Sequence, residues 1–181
     1  MLGTVILALL AVTTAANPGE EPLAKASEGF IQCYQPNDIT KSCQSIATYV
    51  RNEDGSWAST AIVLLSPALP VTLETVTTVW VKDSSVCGYI RREDILHGSL
   101  RVSGQLLPEE QATQILAELS EGMAPMMDRE ICTDYLPGPA GLIARATIEG
   151  GVTEIPDQVV KWVLPSDGYV VAPASSTGAG V

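Results

Sequence analysis

One stretch of this chain, Pro108–Gly122, repeats its apolar residues at helical spacing, while the clearest of the other apolar segments alternate with period two. Ala112, Ile115, Leu116, Leu119 and Met123 fall on one helical stripe. Pro108 suits a first helical position, Glu109 and Glu110 complement the positive end of the helix dipole, and Gly122 with Pro125 stops the helix. Strands are expected over Gln44–Arg51, Trp57–Leu65, Val71–Lys82, Cys87–Arg91, Leu100–Leu106, Leu142–Ile148 and Val159–Leu164, with a helical turn at Glu93–Leu96. Asp54-Gly55 between the first two is a hairpin signal. Strands and helices do not alternate, so a doubly wound parallel sheet is excluded. The expected fold is α+β: an antiparallel β-sheet with one main amphipathic helix packed on a face, over residues 30–171. The alternative is a β-sandwich or barrel with a covering helix.

Four cysteines constrain that core further: Cys33, Cys43, Cys87 and Cys132. No C-x-x-C pair occurs, so neither a zinc ribbon nor a thioredoxin-type redox motif is supported. An even count in an exported chain implies two disulfides, for which three connectivities exist. The favoured one is Cys33–Cys43, closing a polar loop around Pro36-Asn37-Asp38, with Cys87–Cys132 joining two strands.

Export is itself read from the N-terminus. Residues 1–16 carry no charged side chain, Val5–Val12 has the length of a signal-peptide apolar region, and Thr14-Ala15-Ala16 offers small residues before a cleavage at Asn17. The run is too short to span a bilayer, which takes about 20 apolar residues, and no later segment reaches that length. Residues 17–29 read as a flexible leader and 172–181, with small side chains only, as a disordered tail. The expected address is periplasmic or secreted.

Acidic residues number 21 against 10 basic ones, a net charge of −11, so the chain lacks the basic surface that nucleic-acid binding requires. It also lacks a G-x-S-x-G elbow, a phosphate-binding glycine loop, an EF-hand loop and a dinucleotide fingerprint. His97 is the only histidine, which excludes a multi-histidine metal site in one chain. A hydrolase would have to assemble around His97, with Asp94 and one of Ser66, Ser99 or Ser103. The acidic doublets Glu53-Asp54, Glu93-Asp94 and Glu109-Glu110 are adjacent, so they do not face each other across a cleft as paired catalytic carboxylates do.

Two further groups bear on ligands. Met123, Met126 and Met127 place three thioethers within five residues, a soft donor set suited to Cu(I), although methionines at a helix end ordinarily fill gaps in a core. Trp57, Trp80 and Trp162 all fall in expected strands, as core residues or as an exposed ring face.

The C-terminal third runs Glu130-Ile131-Cys132-Thr133-Asp134-Tyr135, then Ala144-Arg145-Ala146-Thr147-Ile148-Glu149-Gly150. Val160-Lys161-Trp162-Val163 and Pro165-Ser166-Asp167-Gly168-Tyr169 follow, leading into Val171-Ala172-Pro173. This cadence resembles small, uncharacterised exported proteins of Gram-negative bacteria. The resemblance implies a periplasmic or secreted address and transfers no catalytic residue. The leading functional expectation is a non-enzymatic envelope module that binds a protein or small ligand without a cofactor. The alternatives are the His97 hydrolase and the methionine copper site.

Overall fold

The computed structural model describes residues 21–151 and 154–173. The expected signal segment and residues 174–181 of the expected tail lie outside the described residues.

Twelve strands form among the described residues. Eight of them close into a barrel: β1 (Ile31–Tyr34), β3 (Ser45–Arg51), β4 (Trp57–Ser66), β5 (Leu69–Lys82), β6 (Ser85–Tyr89), β9 (Glu130–Gly138), β10 (Gly141–Ile148) and β11 (Gln158–Val163). Each pairs antiparallel with the next in this order, and β11 returns to β1 through Ile31–Val163 and Tyr34–Val160. The expected open α+β sheet is therefore wrong. The misreading has a physical cause. Closure depends on β1 and β9, two segments with no clean alternation in sequence, and on the long-range pairing of β1 with β11, which no local pattern encodes. The expected strand Leu100–Leu106 is also two strands, β7 (Ser99–Val102) and β8 (Gln105–Leu106), joined by a turn at Ser103 and Gly104 with φ of 50° and 79°.

Register sorts the barrel strands' side chains into two faces. Gln32, Tyr34, Ala47, Tyr49, Trp57, Ser59, Tyr135, Ala144, Val160 and Trp162 share the inward face. Large and small side chains alternate there, as filling the interior of an eight-stranded barrel demands. Glu130, Asp134, Arg145 and Lys161 share the outward face of β9, β10 and β11 with Cys33 and Cys132. A wall carrying those charges faces water rather than lipid. Among the described residues no helix is long and apolar enough to cross a membrane.

Both ends of the barrel are closed. At one end α1 (Ala24–Ser27) follows Leu23, which is fully buried against Trp57 and Val86. The described part of the expected leader thus includes a core residue. At the other end the chain leaves the barrel after β6 and returns at β9. That excursion contains α2 (Arg92–Leu96), the β7–β8 hairpin and α3 (Glu109–Gly122). Leu116 of α3 packs with Ile95, Leu100 and Leu73, and Leu65, Ile90, Met123 and Met127 surround them. The main helix therefore belongs to an end cap, and Ile115 of its expected apolar stripe is left 37% exposed.

A smaller core lies outside the barrel wall. The two-stranded parallel sheet of β2 (Ser42–Cys43) and β12 (Val170–Val171) covers outward-facing Cys33, Ile46 and Val163. Tyr169 is buried there, its hydroxyl donating to the Asp38 carboxylate, which also receives Lys161 Nζ at 2.9 Å. These two donors, the tyrosine first, hold the Asp38 carboxyl below the usual carboxylate range.

Candidate functional site

The cysteines pair as Cys33–Cys43 and Cys87–Cys132, and no described cysteine is free. Cys87 and Cys132 stand directly opposite each other on β6 and β9. Glu130 comes close to both sulfurs, but sulfurs joined to each other are not available as thiolate ligands, so the trio is no metal site. Two disulfides are the pattern of proteins that fold in oxidising compartments.

His97 caps the C-terminus of α2 and is exposed. It lines an open cleft of about 360 Å³ with Glu74, Asp94 and Ser99. The chain therefore brings the histidine, a serine and two carboxylates together, because Ser99 pairs with Glu74 across β7 and β5 while Asp94 and His97 share one turn of α2. Partial burial raises the Asp94 carboxyl above its ordinary range. Among the described residues, however, no side-chain hydrogen bond joins His97 to Asp94 or to Ser99. Nucleophilic catalysis needs a base oriented by a third group and a bond from base to nucleophile, and neither is formed here. Ser66 and Ser103 are not in the cleft.

Met123 and Met127 pack against the apolar end cap, and Met126 lies in the 3-10 turn Ala124–Met126 between them. Trp57 is buried in the barrel, Trp162 faces inward beside the Tyr49 ring, and Trp80 lies on the outer wall against Tyr89 with ring centroids 5.3 Å apart. The tryptophans form no common exposed face.

Two places not singled out by sequence carry more chemistry. Inside the barrel, three tyrosine hydroxyls converge on one amide oxygen. Gln32 Oε1 lies 2.7 Å from Tyr49, 3.0 Å from Tyr34 and 3.1 Å from Tyr135, and the Tyr34 and Tyr135 hydroxyls lie 2.7 Å apart. Gln32 Nε2 and Trp57 Nε1 are buried with no partner. Burial first, and then Tyr49 and Tyr135 for Tyr34 and Tyr135 for Tyr49, raise the Tyr34 and Tyr49 hydroxyls well above the ordinary phenol pKa. The cluster fills the barrel interior with the chain's own polar groups.

Outside, a groove of about 400 Å³ runs between the barrel wall and the C-terminal strap. Ile46, Ile62 and Thr72 form its floor, Tyr169–Pro173 one side, and Pro70 with the Ser103-Gly104 turn the other. The strap is held by the Tyr169–Asp38 hydrogen bond and by two backbone donors along the β12–β2 ladder: Val170 N–H to Lys41 O at 3.0 Å and Ala172 N–H to Cys43 O at 3.3 Å. Ala172 and Pro173, read in sequence as the start of a tail, thus border the site. The floor was legible only in part, since Ile46 and Ile62 belong to expected strands whose outward face cannot be told from the inward one before the barrel is closed. Comparison with known protein families, with curated proteins and with solved structures finds no match to this chain.

Proposed function

We propose that this protein is an exported, non-enzymatic binding module of the cell envelope that works through the groove on its outer wall. One observation carries the reading. The interior, where a small barrel would hold a ligand, is filled by Gln32, Tyr34, Tyr49, Tyr135, Trp57 and Trp162, while an apolar groove of ligand-site size lies open beside it. The two disulfides and the apolar, uncharged N-terminal segment support a periplasmic or secreted address. Protein recovered from the periplasm or medium of a Gram-negative host is expected to begin at Asn17 with no free thiol. An intact mass that includes residues 1–16 would overturn the export reading.

The groove is tested with a neutral solvatochromic dye. Saturable one-site binding is expected, weakened about tenfold or more by Thr72→Lys or Ile62→Lys, because each places on the groove floor a charge that must be desolvated on binding. His97→Ala is expected to leave dye binding unchanged. Binding insensitive to both groove variants removes the groove as the site. Ester hydrolysis by the folded protein that disappears in His97→Ala would instead establish the envelope hydrolase.

A further inference from the structure

We propose that the groove receives an extended, uncharged, apolar peptide segment of a partner protein, which adds to the free edge of β12 as a third strand. This rests on the binding reading above and names its ligand class.

The argument begins with the parallel ladder. In such a pairing a strand directs the backbone groups of alternate residues to its neighbour and those between them to the opposite side. Val170 and Ala172 donate to β2. The N–H and C=O of Tyr169 and Val171 consequently point away from β2, and among the described residues they have no backbone partner. That free side is the one bordered by the groove, whose strap wall is residues 169–173. Pro173 lacks an N–H, but its position belongs to the free side, so β2 loses nothing by it.

The surroundings fit a strand rather than a compact ligand. A segment paired with Val171 would lie over Ile62 and Thr72, extending the small β2–β12 sheet across the outer wall of β4 and β5. One of its faces would meet that floor and the other would meet solvent beside Val170, which is 56% exposed. Leu106, 60% exposed, shares the face of Thr72 through its pairing with Arg101 and offers further apolar contact at the rim. The edge is preorganised, because the Cys33–Cys43 disulfide fixes β2 and the buried Tyr169 anchors the start of β12. The lining side chains carry no charge, so a charged peptide would lose hydration against them. A chain of net charge −11 disfavours acidic peptides in particular. Main-chain pairing would supply affinity, and the floor would select alternate apolar side chains.

The test uses the full folded protein and an end-blocked, alternating Val–Thr hexapeptide carrying a solubilising tag and a fluorophore, followed by anisotropy. Two isomers are compared, N-methylated at the odd or at the even amides. A strand bound by one edge uses only one of these sets. Strand addition therefore predicts that one isomer binds about tenfold or more weakly than the parent while the other keeps most of its affinity. An Asp-substituted hexapeptide is expected to bind at least about tenfold more weakly than the parent. Equal binding of both isomers and the parent shows capture by side chains alone and overturns strand addition. Dye binding without any peptide binding overturns strand addition and leaves the binding reading standing. Failure of both dye and peptide overturns the two together.

Discussion

Replacing Cys87 and Cys132 together by serine is expected to lower the unfolding free energy by about 4 kcal/mol, the loop-closure entropy of a cross-link over 45 residues. The matching change at Cys33 and Cys43, which closes a separation of 10, is expected to cost about 3 kcal/mol. Either is a large share of the ~5–15 kcal/mol that holds an ordinary domain together. The longer bridge also sits at the seam of the barrel. β6 and β9 are neighbours in space, but the whole end-cap excursion separates them in sequence. Only Val86–Tyr89 pairs with Glu130–Thr133 across that seam. A barrel that opens there exposes two unpaired edges, so the Cys87→Ser/Cys132→Ser protein is expected to aggregate as well as to unfold more readily. Urea titrations of the two double variants and the parent decide this. Unchanged midpoints would mean that strand pairing alone holds the seam, whereas a loss larger at Cys33/Cys43 would place the weaker point at the strap.

How much of this was legible in the sequence differs from element to element. The hairpin at Asp54-Gly55 was, because Gly55 at φ 86° meets a backbone demand that the dipeptide advertises. The helix Glu109–Gly122 was, because a stripe at helical spacing is a local signal. Its role was not, because the same stripe fits a sheet face or an end cap. β1 escaped notice because Gln32, fully buried like its neighbour Cys33, is polar, and its burial is explained only by three tyrosines from three strands. Leu23 escaped for the opposite reason: a single apolar residue among Glu21, Pro22 and Lys25 has no periodicity to reveal it. Asp94, His97 and Ser99 of the His97 cleft lie near one another in sequence, so sequence could name them, but not Glu74, which β5 brings to the same cleft. The outer groove joins β3, β4, β5, the β7–β8 turn and the strap, and proximity of that kind exists only after closure.

The interior tyrosines make the fold sensitive to alkali. Tyr34 and Tyr49 titrate in the folded chain well above the ordinary phenol value of 10.0, first because burial disfavours the phenolate and then because the neighbouring Tyr135, with Tyr49 in the case of Tyr34, disfavours it further. The sign follows from proton counting. Below pH 10 both groups are protonated in the folded and the unfolded chain, so their contribution to stability is fully present. As pH rises past 10 the unfolded chain releases these protons and the folded one keeps them. Stability then falls by about 1.4 kcal/mol per pH unit for each such group, until the folded pKa is reached. Two groups give a combined slope of about 2.7 kcal/mol per pH unit, enough to unfold an ordinary domain within a few units. The expected observation is a cooperative loss of structure in alkali, coincident with a late rise in tyrosinate absorbance at neutral-pH-silent wavelengths. Tyr34→Phe/Tyr49→Phe is expected to flatten the slope above pH 10. It keeps one hydroxyl, that of Tyr135, on Gln32 Oε1, so the amide oxygen retains a donor and the variant remains a fair comparison. An unaltered alkaline slope in that variant would show that the acid-base behaviour arises elsewhere, and tyrosinate absorbance that saturates near pH 10 before any unfolding would show that the barrel interior admits water.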